Sequence, residues 1–338
     1  MNTPDHGRGR LALLYSAIVT GDDEDPALST DAQSTEVENA LLALGWRTLR
    51  IKFDGNMPEH LLLLRKLKPD FVFNLVEASL NTDRLAYLAA ALYETARVPF
   101  AGSGSFGLMA ASDKIAIKPF LTSVGINTPG FACEPHWEGL RDDATYIVKS
   151  VSEHASAGLD AGAVVKGRAA VLARWKDASA KIDARWFAEE YIDGREFNIA
   201  MLEMPDGPRV MPLAEMTFVN FPPGMPRIID TAAKWQTGSA QYKGTVRRFL
   251  DAKAEPELAR RLSEAAMGTW KLLGLGGWVR VDMRVAADGT VHVIDVNVNP
   301  DISMDAGMAA AALKIGLDYV GLIRTIVDAG LRRGAGNA

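Results

Sequence analysis

The chain has 338 residues, of which 48% are hydrophobic and 23% are charged, and this is the composition of a globular protein with two or three domains. Its net charge of −5 excludes a protein whose main task is to grip the nucleic-acid backbone, so we expect no nucleic-acid partner. No apolar run approaches the roughly 20 residues that a membrane span needs, and the polar start lacks a signal-peptide core, so we expect a cytoplasmic protein without a membrane partner.

The first third of the chain alternates short apolar runs with helical patterns, which is typical of a parallel α/β sheet. Gly45 follows the apolar spacing of the first helix and is a suitable end for it. The predicted strands are residues 11–15, 48–53 and 71–75, and the predicted helices are residues 34–44, 58–67 and 83–97.

From about Ser112 the pattern predicts two α+β units. The smaller unit contains helices at 114–124 and 172–181 and strands at 145–149, 162–166 and 186–191. The larger unit runs from 192 to about 331 and contains helices at 255–273 and 319–331 and a hairpin near its end. The single cysteine, Cys133, excludes an intrachain disulfide and a cysteine-based metal cluster, and its apolar neighbours predict a small buried residue.

The hairpin carries the most informative pattern. Arg280 and Asp282 lie two apart in its first strand, Asp295 and Asn297 lie two apart in its second, and the turn at Asp288 makes the strands antiparallel neighbours. Carboxylates among valines are costly to bury unless a cation compensates them, and Mg²⁺ prefers such oxygen ligands. The alternative is a half-exposed hairpin that alternates polar and apolar residues for solubility alone.

Several other motifs follow one another along the chain. They are Gly102-Ser103-Gly104 with Ser112-Asp113-Lys114, Tyr146-Ile147-Val148-Lys149, Glu189-Glu190-Tyr191-Ile192-Asp193-Gly194-Arg195-Glu196-Phe197, Ala233-Lys234-Trp235, Gly277-Trp278-Val279-Arg280-Val281-Asp282, and Ile294-Asp295-Val296-Asn297-Val298-Asn299-Pro300. In order and spacing they resemble the ATP-grasp superfamily, and within it the D-alanine:D-alanine ligase group of carboxylate-amine ligases. The resemblance begins weakly in the first third and covers nearly all of the chain from Gly102 to Arg332.

The resemblance implies an ATP-grasp fold of mixed α/β and α+β class. An N-terminal parallel-sheet (pre-ATP-grasp) domain is expected at 1–111, a central lid subdomain at 112–188, and a C-terminal domain with the metal and substrate site at 189–334. The two α+β subdomains are expected to enclose ATP, and a homodimer is the family expectation.

The resemblance also implies a nucleotide site. It assigns Lys114 and Lys149 to phosphate contacts and Lys234 to the γ-phosphate region, since a triphosphate carries about four negative charges that a cleft must offset. The alternative for Lys114 is a solvated surface lysine. Loop 150–158 resembles the flexible flap over the phosphates, although His154 departs from the small polar residues usual there.

The resemblance implies that carboxylates and backbone groups bind the nucleoside. The segment Glu189, Glu190, Tyr191 and Ile192 is expected to pass its backbone along the adenine edge, and Glu196 resembles a ribose-binding carboxylate that accepts from both hydroxyls. The alternative is that Glu189 and Glu190 form a charged linker at a domain boundary.

The resemblance assigns the metal site and the chemistry to the hairpin. Asp282, Asp295 and Asn297 are implied to hold two Mg²⁺ ions, with Mn²⁺ as an alternative metal, and Arg280 and Lys234 are the expected catalytic residues. A substrate carboxylate would attack the γ-phosphorus of ATP to give an acyl phosphate, which an amine then attacks. Arg280 would stabilise the charge that develops.

The substrates are small molecules, a carboxylate and an amine, and the sequence departs from the D-alanine enzymes where these would bind. Asp301 stands where those enzymes receive a carboxylate, and Ala306 lacks the serine hydroxyl found there, so we expect a substrate other than D-alanine. Asp301 and Asp305 are candidate partners of a cationic group, and Arg247 of a carboxylate. The alternative for the two aspartates is a favourable position at a helix N-terminus.

Two other functions use the same nucleotide residues. An ATP-grasp kinase would release a phosphorylated substrate, and a nucleotide-binding sensor would do no chemistry. The presence together of Arg280, Lys234 and the predicted metal ligands argues against the sensor.

Overall fold

The computed structural model describes residues 10–17, 30–80, 82–152 and 158–336. Among these, no helix is long and apolar enough to span a membrane. His154 and most of the predicted phosphate flap lie outside the described residues.

Three parallel strands open the chain, in the order β2-β1-β3. They alternate with helices, as the sequence predicts. In chain order the elements are β1 (Leu11–Ala17), α1 (Thr30–Ala43), β2 (Arg47–Phe53), α2 (Met57–Leu67), β3 (Phe71–Leu75), α3 (Tyr87–Ala96) and α4 (Ser105–Ala111). The central strand is wholly buried from Ala12 to Tyr15, because helices cover a parallel sheet on its faces.

A four-stranded antiparallel sheet follows, in the order β4-β7-β5-β6. Its elements are α5 (Ile117–Ser123), β4 (Phe131–Cys133), β5 (Thr145–Ser150), β6 (Val164–Lys166), α6 (Arg168–Lys181) and β7 (Trp186–Glu190). Apolar side chains that include Trp137, Val148 and Val171 form its core. This sheet forms one wall of the cleft described below.

A six-stranded antiparallel sheet completes the fold, in the order β11-β10-β8-β12-β13 with β9 paired to β8. The elements are β8 (Arg195–Met204), β9 (Gly207–Val210), β10 (Ala214–Phe218), α7 (Thr231–Trp235), α8 (Ala240–Gly244), β11 (Thr245–Phe249), α9 (Pro256–Leu273), β12 (Trp278–Val285), β13 (Val291–Asn297), α10 (Gly307–Lys314) and α11 (Tyr319–Gly336). The strongly amphipathic α9 begins at a proline and ends at Gly274 in the left-handed conformation, which suits glycine.

The first sheet and the six-stranded sheet share one apolar core. Leu14 and Phe73 from the first sheet pack in the same cluster as Leu202 and Trp278 from the other, together with Ile323 of α11. The rings of Phe73 and Trp278 lie 5.7 Å apart between centroids. The first and last parts of the chain therefore contribute to the same hydrophobic core.

Gly277 lies where the two sheets approach most closely. Its φ of 71° is in the left-handed region, and a Cβ added there would lie 2.8 Å from the backbone of Gly102. The glycine lets β12 begin directly against the loop that follows the first sheet.

Some predicted elements differ from the structure. The helix predicted at 114–124 begins only at Ile117, because Asp113 caps a preceding turn by accepting from the backbone N–H of Ile115 and Ala116. The helix predicted at 83–97 is a short 3₁₀ turn followed by α3. Cys133, predicted to be buried, is only half-buried because β4 is an edge strand.

Candidate functional site

The predicted hairpin is formed by β12 and β13, and its register brings the polar residues together. Asp282 lies opposite Asp295, and Arg280 lies opposite Asn297. A bulge after Asp282 adds one residue to β13 at this point, and bulges of this kind re-aim side chains. The four residues that the sequence placed on one face thus line a shared cleft.

Asp282 is held by two neighbours. Arg280 Nε donates to Asp282 Oδ1 at 2.7 Å and Arg280 Nη2 donates to Oδ2 at 2.9 Å, and Asn198 Nδ2 from β8 donates to Oδ1 at 2.9 Å. Burial alone would lower the pKa of Arg280, but Asp282 and Asp295 outweigh this effect and raise it. Arg280 is therefore a fixed positive charge between two carboxylates.

The hairpin oxygens suit a hard cation. Asp295 Oδ1 accepts from the backbone N–H of Val296 at 3.0 Å, and Asn297 Oδ1 accepts from that of Asn299 at 3.1 Å, so both side chains are oriented. Each oxygen keeps lone pairs beyond these bonds. Across the described parts of the chain, no three His, Cys, Asp or Glu side chains converge as a metal site. The set of two carboxylates and one amide therefore fits Mg²⁺ that also takes oxygens from a phosphate.

The predicted phosphate lysines both reach the cleft. Lys114 is 7% exposed, which excludes the solvated-surface alternative, and its backbone N–H donates to Val151 O at 3.1 Å. Lys149 Nζ, at the end of β5, pairs with Glu189 Oε2 at 2.5 Å and donates to Ile294 O at 3.2 Å. The second contact ties the four-stranded sheet to the hairpin next to Asp295.

The predicted adenine segment is partly used by the protein itself. The N–H of Glu190 donates to Gly130 O at 2.8 Å, and the N–H of Tyr191 donates to Thr145 O at 2.9 Å. Glu189 is buried and ion-paired at the end of β7, which excludes a solvated linker at that position. Recognition of a base would fall to the remaining polar groups of this segment, which lines the cleft.

Glu196 has a partner that the sequence analysis missed. It is buried on β8, and its Oε2 accepts from Arg284 Nη2 at 2.5 Å. Arg284 also donates to the carbonyls of Ile192 and Arg227. One carboxylate oxygen of Glu196 is thereby engaged, whereas the sequence-based expectation used both for ribose. Arg284 follows Asp282 by two residues and therefore lies on the same face of the strand. Strand alternation could have identified Arg284 as a residue of the site.

Lys234 lies on α7, whose N-cap Asp230 accepts from the N–H of Ala233 at 2.8 Å. Burial in the cleft, with Arg280 as a second cause, lowers the pKa of Lys234 to about 8. Asp282 and Asp295 act in the opposite direction without restoring the usual value. Lys234 is therefore positively charged below about pH 8 and loses its charge above it.

The predicted substrate residues lie at the far end of the cleft. Asp301 Oδ1 accepts from the N–H and hydroxyl of Ser303 at 2.8 and 2.6 Å. The Arg247 guanidinium lies against Gly307 at the start of α10, since a Cβ there would be 3.7 Å from Nη2. Burial and Arg280 lower the pKa of Arg247, while Asp305 and Asp301 partly oppose this. Both aspartates and Arg247 line the cleft, and so does Glu77, whose side chain is exposed.

Glu77 follows β3 and has no role in the motifs read from the sequence. Its Oε1 accepts from Gln33 Nε2 at 3.2 Å. Loss of hydration raises the pKa of Glu77 to about 7, and the charge of Asp301 adds to this effect. Carboxylates from the first sheet and from the C-terminal segment thus face each other across the cleft.

The cleft has a volume of about 1180 Å³, slightly above the usual range of small-molecule sites. It joins three regions that are distant in sequence: the end of the first sheet, the four-stranded sheet and the six-stranded sheet. The predicted nucleotide, metal, catalytic and substrate residues all line it.

Comparisons with known proteins agree with this arrangement. A family model described as D-ala D-ala ligase C-terminus matches residues 142–328. The D-alanine–D-alanine ligase of Stutzerimonas stutzeri is 32% identical over 250 residues, which are 72% of this chain and 73% of the relative. An uncharacterised protein, y4sG, of Sinorhizobium fredii is 30% identical over 270 residues, which are 79% of this chain and 76% of the relative.

The fold has a close counterpart among solved structures. The D-alanine–D-alanine ligase from Bacillus anthracis, solved in complex with ATP, superposes with a TM-score of 0.72 at 18% identity, over 97% of this chain and 100% of that one. The ATP-grasp fold expected from the motifs is thereby confirmed. The chain belongs to the D-alanine–D-alanine ligase family of ATP-grasp proteins and is an ATP-dependent ligase that forms a carbon–nitrogen bond.

Proposed function

We propose that this ligase joins a small carboxylate to an amine through an acyl phosphate, and that its substrate is not D-alanine. The observation that supports this most directly is the composition of the cleft. Its nucleotide end carries Lys114 and Lys149, its centre carries Arg280 beside the hairpin carboxylates, and its far end carries Asp301 with Arg247. Such a distribution suits a polyanion at one end and a charged amine-containing substrate at the other.

In this proposal ATP lies with its phosphates between the lysines and the hairpin. The Bacillus anthracis enzyme, which shares the fold, was solved in complex with ATP, and this supports ATP as the nucleotide. Asp282, Asp295 and Asn297 would hold two Mg²⁺ ions, or Mn²⁺, and a bound ion offsets phosphate charge. Lys114, Lys149 and Lys234 add positive charge from two sides of the cleft.

The chemistry requires positioning and charge compensation more than a protein nucleophile. A substrate carboxylate oxygen attacks the γ-phosphorus, the bond to the bridging oxygen breaks, and ADP leaves. The amine nitrogen then attacks the acyl carbon, the carbon–oxygen bond to phosphate breaks, and the nitrogen gives up a proton. Arg280, held by Asp282, is placed to stabilise charge at the acyl centre.

The far end of the cleft supports a substrate with a cationic group. Asp301, Asp305 and Glu77 face this region, while Ala306 offers no hydroxyl for a carboxylate. Arg247 is the cation available there for a substrate carboxylate. The same proposal retains the family expectation of a homodimer, and a cytoplasmic enzyme without nucleic-acid or membrane partners.

Asp301→Asn tests the cationic end. The amide keeps an acceptor for Ser303, so the turn is preserved, but the charge is lost. We expect KM for the cationic substrate to rise about tenfold, with KM for ATP unchanged, because a charged hydrogen bond contributes roughly 1.5–3 kcal/mol. Asp183→Asn, at an exposed position, is the matched control. Unchanged KM values for both co-substrates would remove Asp301 from the proposal.

Lys234 gives the reaction a pH dependence. As pH rises through about 8, Lys234 loses the proton that gives it positive charge, so we expect kcat/KM for ATP to fall up to tenfold per pH unit. A pH profile of initial rates measures this. Lys234→Arg should move the decline to higher pH, because arginine stays protonated; an identical profile would assign the decline to another group.

Unfolding does not explain that decline. The pKa of Lys234 is lower in the folded protein than its ordinary value of 10.5, so the unfolded chain binds this proton more tightly. Stability contributed by this group therefore rises between pH 8 and 10.5 while activity falls. Thermal melts across the same pH range separate the two effects.

The function as a whole is tested by phosphate release with Mg-ATP. The purified protein is offered pairs of D- and L-amino acids and small amines, with D-alanine as one pair, and products are identified by mass. Release that needs both a carboxylate and an amine, with ADP and a condensed product, is the expected result. A stable phosphorylated product would indicate a kinase, and turnover of D-alanine alone would contradict the proposed substrate class.

A further inference from the structure

A buried lysine behind the nucleotide wall of the cleft takes no part in the proposed mechanism. Lys118 lies on α5 and is 4% exposed. Its Nζ donates to Thr128 Oγ1 at 2.8 Å, to Pro129 O at 2.9 Å and to Glu189 Oε1 at 2.5 Å. All three ammonium N–H groups are thus used, and the lysine is fixed.

The partner of Lys118 is shared with a residue of the cleft. Glu189 Oε1 faces Lys118 and Glu189 Oε2 faces Lys149, each at 2.5 Å. Lys149 in turn donates to Ile294 O on the hairpin. One carboxylate therefore joins α5, β7 and β5 through two ion pairs, and the hydrogen bond from Lys149 extends the link to β13.

The cost of this arrangement indicates a function. Burial lowers the pKa of Lys118, and Glu189 only partly opposes that effect. An apolar residue at this position would be cheaper to bury, since buried ion pairs often contribute little to stability against well-packed hydrophobic residues. What the pair does provide is a carboxylate that cannot turn and that only accepts hydrogen bonds.

We propose that Lys118 is a positioning residue of the nucleotide site, holding Glu189 as a fixed acceptor and thereby favouring a base with an amino group over one with a carbonyl. The inference rests on the proposed placement of the nucleotide along residues 189–192. Glu189 lines the cleft at the start of that segment. A carboxylate at this place attracts an exocyclic amino group and repels a carbonyl oxygen.

Calorimetric titration with Mg-ATP and Mg-ITP tests this without knowledge of the other substrates. The two nucleotides differ at the base position in question, an amino group in one and a carbonyl in the other. We expect wild type to bind Mg-ATP more tightly than Mg-ITP. In Lys118→Met, we expect the Kd for Mg-ATP to rise about tenfold and the ATP-to-ITP preference to fall about tenfold, the worth of one hydrogen bond to a charged group.

A second variant separates positioning from folding. Lys118→Met leaves Glu189 with one partner and is expected to lower Tm, whereas Lys118→Met with Glu189→Gln removes the unpaired charge and should recover most of the Tm. The double variant should still lack base preference, because a glutamine amide both donates and accepts. Lys176→Met, on the exposed face of α6, is the matched control and should change neither quantity.

The outcomes are distinct. A lower Tm in Lys118→Met with unchanged affinity and unchanged ATP-to-ITP preference would make Lys118 a purely structural residue and overturn the inference. Recovery of base preference in the double variant would overturn it as well. Wild type that binds neither nucleotide would remove the proposed nucleotide site itself, and the role of Lys118 with it.

Discussion

Asp295→Ala is expected to abolish ADP formation, with a loss of at least about 100-fold in kcat, while the protein stays folded. Asp295 is one of the two hairpin carboxylates, and it lies opposite Asp282 in the register of β12 and β13. Removing it leaves a metal-binding set of one carboxylate and one amide, and stabilisation of transferred charge of this kind is typically worth 10²–10³ in rate. The measurement is ADP formation at saturating Mg-ATP.

The fold is expected to survive because Asp295 is half-buried and its Oδ1 accepts a local hydrogen bond, from the N–H of its own neighbour Val296. Circular dichroism and Tm check this point. Asp183→Ala makes the same change at an exposed position and should retain full activity. Persistent ADP formation by Asp295→Ala would remove the metal assignment from the hairpin.

Arg280→Lys is expected to lower kcat about 100-fold with a small change in KM for ATP. Arginine holds both oxygens of Asp282 with Nε and Nη2, which leaves further N–H groups for the reacting centre. The compact ammonium of lysine has no such fork, so it can pair with Asp282 or face the substrate, but not both in the same geometry. We expect the effect in kcat because Arg280 stabilises charge that develops only during the reaction.

Steady-state kinetics with each substrate varied in turn measure this effect. Arg248→Lys is the control, since Arg248 neighbours Arg247 on β11 and points to the opposite side of the strand. If Arg280→Lys raised KM for ATP tenfold and left kcat unchanged, Arg280 would be a ground-state binding residue and its catalytic assignment would be wrong.

The sequence predicts the part of the cleft that is formed by the hairpin. Alternation within residues 278–297 is sufficient to place Arg280, Asp282, Asp295 and Asn297 on one face, and the register confirms this. The parallel order of the first sheet follows from alternating strands and helices. Both predictions succeed because the spacing of apolar residues within one helix or strand shows which of its faces is buried.

Pairing between distant residues is what local periodicity cannot predict. Lys118 and Glu189 are 71 positions apart, and Glu196 and Arg284 are 88 apart, so no spacing rule joins them. A lysine near the start of a predicted helix is normally solvated, and only the tertiary fold buries Lys118. The raised pKa of Glu77 likewise has causes that local periodicity does not show: loss of hydration in the cleft and the charge of Asp301 from the other end of the chain.

The core that joins Phe73 and Trp278 has a consequence for how this chain can vary. The segment that carries β1, β2 and β3 buries its apolar surface against α11 and the six-stranded sheet. It therefore cannot be replaced independently of the rest of the chain. Insertions and changes of specificity are accommodated more cheaply in the loops around the cleft mouth. The two ends of the chain depend on each other, so a change of substrate has to leave this shared core intact.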